Sequence, residues 1–344
     1  MKFAFTADIH LSRYGQDKLE DTSGLPERLY SIKKCLYEIA DYCCEHDLEY
    51  MVIGGDILHG KSIIYTIAQD IMLEFFRYYE KKGLKFIVID GNHDLSGKGK
   101  TAVSALSSLQ NEPNIEWVSG NDNLEIDEVV FIPYCHDVAK AAKNNEDKIL
   151  VSHFGLNEGV LSSGLSIVSD ISLKSLIGKY KLVLLGHYHK PQEIIRDDIV
   201  LYYVGSPIQL DWGEKGEEKR FLVVDTETLD VLSIPTTGYK KHIELKINSK
   251  NKQKTIEEAK KAEKNGHHVK IIRNSDIDVS DIENDFLVVD KTEKDITNRG
   301  VSLNMSQMDR FKKYLEVEKI PEEEHKEYLE VAKLLVGEDK NAGN

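Results

Sequence analysis

The sequence predicts a layered α/β domain followed by a smaller α+β unit and two terminal helices. Three observations carry this prediction. Short apolar, β-branched runs alternate with helical apolar stripes from Lys2 to Ile89, the pattern of buried strands separated by crossover helices. The runs end, one after another, at Asp, Asn or His. A chain of 344 residues also exceeds the size at which one core usually stops growing, about 250–300 residues, so a second domain or appendage is expected.

Residues Lys2 to Ala7 form the first strand and deliver Asp8-Ile9-His10, followed by a polar loop to about Leu25. Alternate residues share one side of an extended segment, so Asp8 and His10 are expected to converge. The next helix places Leu29, Ile32, Leu36, Ile39 and Cys43 on a core-facing stripe. A second strand, Tyr50 to Ile53, runs into Gly54-Gly55-Asp56-Ile57-Leu58-His59. From about Ser62 a second helix turns Ile64, Ile67, Ile71 and Phe75 inward and ends at Gly83, which suits a left-handed cap. The third strand, Phe86 to Ile89, feeds Gly91-Asn92-His93-Asp94 at its carboxyl end, where open α/β sheets place their chemistry. Just beyond, Gly97-Lys98-Gly99-Lys100-Thr101 invites comparison with a phosphate-binding P-loop. The required first glycine would fall at Asp94, and the run does not directly follow a strand. It reads instead as a basic loop whose Lys98 and Lys100 can touch a phosphate backbone.

From Ile115 to Pro133, short alternating runs predict antiparallel strands of a second sheet. An Ala/Lys helix then leads to Ile149-Leu150-Val151-Ser152-His153, and a fifth apolar strand, Leu182 to Leu185, ends in Gly186-His187-Tyr188-His189. Strands near Ile199–Val204 and Phe221–Val224, with Gly205-Ser206-Pro207 as a turn between them, complete the domain. After Tyr239 the composition shifts to Lys, Glu and Asn. Strand (Ile243 to Ile247), helix (Gln253 to Lys264, closed by Gly266) and strands (Val269 to Ile272, Phe286 to Val289) make the small unit. Two charged helices, Met305 to Ile320 and Pro321 to Val336, carry Phe311, Leu315, Tyr328, Val331 and Leu335 as apolar positions. The expected division is 1–238, 239–302 and 303–344.

A net charge of −14 argues against a broad basic face that grips nucleic acid unaided, although bound metal ions can offset local negative potential. Cys35, Cys43, Cys44 and Cys135 lack the paired spacing of a zinc site and read as core residues of a reduced, cytoplasmic protein. No apolar stretch is long enough for a signal peptide or membrane span.

The strand ends collect Asp8, His10, Asp56, Asn92, His153, His187 and His189. Mixed N/O ligation suits Mn, Fe or Zn, and the set is large enough for two ions. Two metals ~3.5–4 Å apart clamp the attacking and leaving oxygens of a phosphoryl displacement, so phosphate-ester hydrolysis is the expected reaction class. His93, beside Asn92 and on the opposite side of the backbone, is free to stabilise the transition state or protonate the leaving oxygen, with Asp94 orienting it. Singly, each histidine reads as a hydrogen-bonded core residue; the ordered set argues otherwise. His46, His136, His242, His267, His268 and His325 fall outside the pattern.

Asp8-x-His10, Gly55-Asp56, Gly91-Asn92-His93-Asp94, His153 and Gly186-His187-Tyr188-His189 resemble the calcineurin-like metallophosphoesterase superfamily. That resemblance implies its two-sheet β-sandwich flanked by helices. Gly55-Asp56-Ile57-Leu58-His59, Tyr203-Val204-Gly205-Ser206-Pro207 and Lys219-Arg220-Phe221-Leu222-Val223-Val224-Asp225 resemble more narrowly the SbcD-type DNA-repair nucleases and their phage recombination counterparts. The resemblance implies two Mn²⁺, one held by Asp8, His10, Asp56 and His189, the other by Asp56, Asn92, His153 and His187, with Asp56 bridging. It places His59 with His93 near the scissile phosphate. It further implies DNA as substrate, 3'-5' exonuclease and single-strand endonuclease activity, a homodimer, a capping domain and a helical segment for an SbcC-type SMC-like ATPase. The rivals are a phosphodiesterase of the same fold acting on small nucleotides and a metal-free scaffold. No expected ligand is missing, which weighs against the scaffold.

Overall fold

A computed structural model describes residues 1–14, 17–20, 22–97, 102–135, 141, 148–165, 168–169, 171–273, 278–280, 282, 286–290, 307–317 and 320–336. In chain order these form β1 (Lys2–Thr6), α1 (Glu27–Glu45), β2 (Tyr50–Ile53), α2 (Thr66–Glu80), β3 (Lys85–Ile89), the two-residue strands β4 (Leu95–Ser96) and β5 (Val103–Ser104), and β6 (Ile115–Val118). There follow β7 (Leu124–Ile126), β8 (Val129–Ile132), β9 (Lys148–His153), β10 (Tyr180–Gly186), β11 (Gln192–Arg196), β12 (Ile199–Tyr203), β13 (Arg220–Asp225) and β14 (Val231–Pro235). Beyond them run β15 (His242–Ile247), α3 (Lys252–Lys264), β16 (His268–Arg273), β17 (Leu287–Asp290), α4 (Gln307–Val317) and α5 (Glu322–Val336). Lys98, Lys100 and the expected Ala/Lys helix before Ile149, apart from Ala141, lie outside the described residues.

Two six-stranded sheets dominate, in the orders β14-β13-β1-β2-β3-β6 and β11-β12-β10-β9-β8-β7. In the first, β1, β2, β3 and β6 run parallel, with Phe3 opposite Tyr50 and Phe86 opposite Ile115, while β13 closes antiparallel on β1. In the second, β8, β9, β10 and β12 are parallel. Strands buried on both faces leave no polar face to alternate, which is why they read as continuous apolar runs.

The side-chain period of two sends Phe3, Phe5, Val52 and Ile87 from the first sheet against Phe131, Ile149, Val151 and Leu184 from the second, all buried. This is the filling of a sandwich. The other face of the first sheet (Ala4, Met51, Ile53, Phe86, Val88) packs under α1 and α2. Leu29, Ile32, Leu36, Ile39 and Cys43 of α1 are all buried, as their spacing predicts. The outer face of the second sheet is covered by Leu156, Ile171, Leu173 and Leu176. The result is an α/β fold with mixed sheets flanked by helices.

Two expectations are corrected. β6 does not join the second sheet but extends the first beside β3, because alternation reports one wet face and not the neighbouring strand. The second helix starts at Thr66, after an extended Tyr65, so Ile64 does not face inward; Ile63, Ile64 and Tyr65 are exposed.

The chain divides into two compact units, Met1–Leu245 with Gln253–Lys270, and Lys246–Lys252 with Ile271–Asn344. All the site residues described below belong to the first. In the second, α4 and α5 pack on each other; Leu315 is buried, whereas Tyr314, Tyr328 and Val331 are exposed. Among the described residues no helix is long and apolar enough to cross a membrane.

Candidate metal centre

The site forms where the carboxyl ends of the two sheets meet. Past β1 the chain enters left-handed backbone at Asp8 (φ 54°) and His10 (φ 54°), and past β2 it does so again at Asp56 (φ 54°). Convergence of Asp8 and His10 therefore comes from left-handed turns rather than from an extended segment. The two loops zip together through Asp8 N–H to Gly55 O (3.0 Å), His10 N–H to Asp56 O (2.9 Å) and Leu11 N–H to Ile57 O (2.7 Å). Non-glycine residues in this conformation are held at a cost of the order of 1–3 kcal/mol each, met by the surrounding structure.

Asp56 occupies the centre. Its Oδ2 lies 3.4 Å from His153 Nε2 and 3.7 Å from His10 Nε2, and its Oδ1 accepts the His93 N–H at 2.7 Å. On one side, Asp8, His10 and His189 bring ligand atoms together, with His10 Nε2 and His189 Nε2 3.0 Å apart. On the other, Asn92 Oδ1 lies 3.2 Å from His153 Nε2 and 2.9 Å from His187 Nδ1. Asp8 is also within reach of Asp56 and His153, and both its oxygens accept the His187 N–H at 3.0 Å. A Cβ on Gly91 would stand 2.1 Å from Asp56 Oδ1, so the third loop needs glycine there to approach the second.

Electrostatics matches a cation site. Burial opposes charge on Asp56, yet His153 and His10 hold its carboxyl well below the usual range. Burial disfavours protonation of His153 too, but Asp56 raises it to about 9. Burial pushes His10 well down and His187 to about 3, so both imidazoles are neutral donors at neutral pH. His189 Nδ1 sits 2.9 Å from the Glu214 carboxylate, which assigns the ring proton to Nδ1 and leaves the Nε2 lone pair aimed at His10 Nε2. Converging lone pairs and carboxylates are unfavourable unless a cation lies among them, so the residues present fit a divalent metal centre.

His59 and His93 stand beside these sets, their rings 5.4 Å apart and 16° from parallel. His59 Nδ1 lies 3.2 Å from His10 Nδ1, and His93 Nδ1 is 2.9 Å from the carbonyl oxygen of His59. With those nitrogens engaged, neither ring's Nε2 has a hydrogen-bond partner among the described residues. Asp94 does not orient His93. Fully buried, its carboxylate accepts the N–H groups of Asp56 (2.7 Å), Gly91 (2.9 Å), Leu58 (3.0 Å) and Ile57 (3.4 Å), pinning the second loop to the third. Burial and then the Asp56 charge push its carboxyl well up.

Three residues that spacing does not reveal support the site. Asp90 accepts from Ser104 Oγ (2.9 Å) and Trp117 Nε1 (3.0 Å) and holds the root of the third loop. Glu214, in the turn Trp212–Glu214, pairs with Lys219, a lysine with no exposed surface. Lys219 opens a run singled out in the sequence, but nothing in that run points to His189.

Residues 1–191 match the calcineurin-like phosphoesterase family, and the chain belongs to it. It is a metal-dependent phosphoesterase by family, with a candidate His/Asp metal site. The chain is 25% identical over 248 residues to the DNA double-strand break repair protein Mre11 of Archaeoglobus fulgidus, covering 64% of this chain and 53% of that protein. Exonuclease subunit 1 of Enterobacteria phage T4 is 24% identical over 208 residues, covering 57% and 58%. The SbcD component of the nuclease SbcCD of Staphylococcus epidermidis is 24% identical over 270 residues, covering 68% of each. The matches span between about half and two thirds of the length of these relatives.

Proposed function

We propose that the protein is a Mn²⁺-dependent DNA nuclease subunit, hydrolysing phosphodiester bonds as a 3'-5' exonuclease and single-strand endonuclease. The observation that carries the reading is the position of Asp56 between two donor sets, with the open rings of His59 and His93 alongside. Asp8, His10, Asp56 and His189 hold one ion, and Asp56, Asn92, His153 and His187 the other. Bound divalent ions supply charge neutralisation to the phosphate oxygens. The chain's own residues do the rest. His59 donates from Nε2 to a phosphate oxygen, its tautomer set by His10 Nδ1–H. His93, its Nδ1–H donating to the His59 carbonyl, would give the leaving oxygen a proton from Nε2 when the ring is in its imidazolium form, returning to the neutral Nδ1–H tautomer.

DNA as substrate is supported by the three relatives, all named as nucleases or a break-repair protein. The similarity to a subunit of the nuclease SbcCD supports an SbcC-type SMC-like ATPase partner; a homodimer and a capping role for residues 239–302 complete the proposal. The test is release of nucleotides from linear DNA with Mn²⁺, set against hydrolysis of cyclic mononucleotides under the same conditions. Metal-dependent DNA cleavage that Asp56→Ala abolishes, with metal content falling below one ion per chain, is the expected result. Turnover of cyclic nucleotides alone would replace this reading by the small-nucleotide phosphodiesterase.

A further inference from the structure

The geometry points to Glu214 and Lys219 as positioning residues that hold His189 in the one ring tautomer and orientation able to ligate a metal. This inference rests on the reading of His189 as a ligand given above.

His189 is gripped at two places. Its ring Nδ1 lies 2.9 Å from Glu214 Oε1, and its backbone carbonyl accepts from Lys219 Nζ at 2.8 Å. The same ammonium lies 2.7 Å from Glu214 Oε2 and 2.8 Å from Glu217 Oε2. Glu214 Oε2 also accepts from Leu210 N–H (3.0 Å) and Ser206 Oγ (3.2 Å), and the Ser206 N–H returns to the His189 carbonyl at 3.1 Å. A Cβ on Gly205, which has φ 81°, would meet that carbonyl at 2.7 Å. The Gly205-Ser206-Pro207 turn and the start of β13 thus act on one target. Neither carries a metal-ligand type aimed at the centre.

A buried lysine is expensive to desolvate and is retained only where partners match it closely. Lys219 has three: the His189 carbonyl, Glu214, which also pairs with the His189 ring, and Glu217. The arrangement fixes the proton on Nδ1, directs Nε2 to the cation, and raises the ring's basicity as a donor; loss of such an outer partner typically costs 10–100-fold in metal affinity. The ion held by Asn92, His153 and His187 lacks this support and serves as an internal control. A purely structural role for Glu214 would disturb both ions alike, or neither.

The experiment is Mn²⁺ titration of the full chain by calorimetry, with electron paramagnetic resonance reporting the spin-coupled pair, for the parent, Glu214→Gln, Glu214→Ala and His189→Ala. Glu214→Gln keeps size and shape but removes the charge, so one of the two dissociation constants should rise roughly tenfold while the other stays. Glu214→Ala should raise it by roughly 10–100-fold, with the coupled signal appearing only at higher Mn²⁺. Unchanged affinities in a folded Glu214→Gln protein, or an equal loss at both ions, overturn the proposal. His189→Ala separates the two levels of the argument. If it retains both ions with parent affinities, the ligand assignment of His189 fails; if it loses one while Glu214→Gln and Glu214→Ala do not, only the positioning role fails.

Discussion

At the scale of single residues the site divides its labour by which nitrogen each imidazole has left. His10, His153, His187 and His189 point ring nitrogens into the carboxylates and the Asn92 amide, whereas His59 and His93 keep theirs at the edge. His93→Asn should therefore lower hydrolysis by roughly 10²-fold or more while elemental analysis still finds both metals; loss of the ions would contradict this division. A second expectation concerns pH in protein stripped of metal by a chelator. Asp56 raises His153 from 6.5 to about 9 against the opposing effect of burial. A group whose folded value is raised contributes its stability in full below the unfolded value, near 6.5, and loses it as pH rises through about 9. Denaturant midpoints of the stripped protein should fall between pH 6.5 and 9.5, and His153→Gln should flatten that limb.

At the scale of elements, β1, β2, β3, β9 and β10 and their terminal side chains were legible because β-branched apolar runs of that length have few other readings. Sheet membership was not: Ile115-Glu116-Trp117-Val118 alternates like β7 and β8 yet pairs with β3. The left-handed turns at Asp8, His10 and Asp56 were equally hidden, since no glycine marks those positions. Asp94 was legible as a site residue but not in its role, because a carboxylate gripping four backbone N–H groups looks in sequence like one gripping an imidazole. Glu214 lies 25 residues from His189, beyond any local pattern. The loops themselves can be tested through Gly91. An alanine there would drive its Cβ into Asp56 Oδ1 and the Asp56 backbone nitrogen, and overpacking of this kind costs typically 1–3 kcal/mol. Gly91→Ala should lower the unfolding free energy by about that amount and weaken metal binding together, as measured by denaturation and calorimetry; metal affinity equal to the parent would show that the loop gives way elsewhere.

At the scale of the whole molecule, a net charge of −14 opposes an unaided grip on a phosphate backbone, so under the proposed nuclease reading a partner is expected to supply that grip. The second unit offers the exposed Tyr328 and Val331 on α5, and apolar side chains left in water favour burial by a partner. The double substitution Tyr328→Glu with Val331→Glu should leave Mn²⁺-dependent cleavage of short single strands at the parent rate, since every proposed ligand lies in the first unit. It should abolish co-purification with the proposed SMC-like ATPase partner and any ATP-stimulated cleavage of duplex ends. Retained co-purification would move the docking surface elsewhere.

The zipper between the first two strand-end loops carries one more consequence, for the timing of motion rather than for chemistry. Asp8, His10 and Asp56 sit in backbone that side chains other than glycine enter reluctantly, and the amides of Asp8, His10 and Leu11 are tied across the gap to the carbonyls of Gly55, Asp56 and Ile57. With the metals removed, Asp8 and Asp56 repel each other against the partial compensation of His153, and local opening of the seam is expected to cost less than in the loaded protein. Deuterium uptake at the amides of residues 8–11 should then be fast in chelator-treated protein and slow by a factor of roughly ten or more once Mn²⁺ is added, a change that tracks loading of the centre in the absence of any substrate.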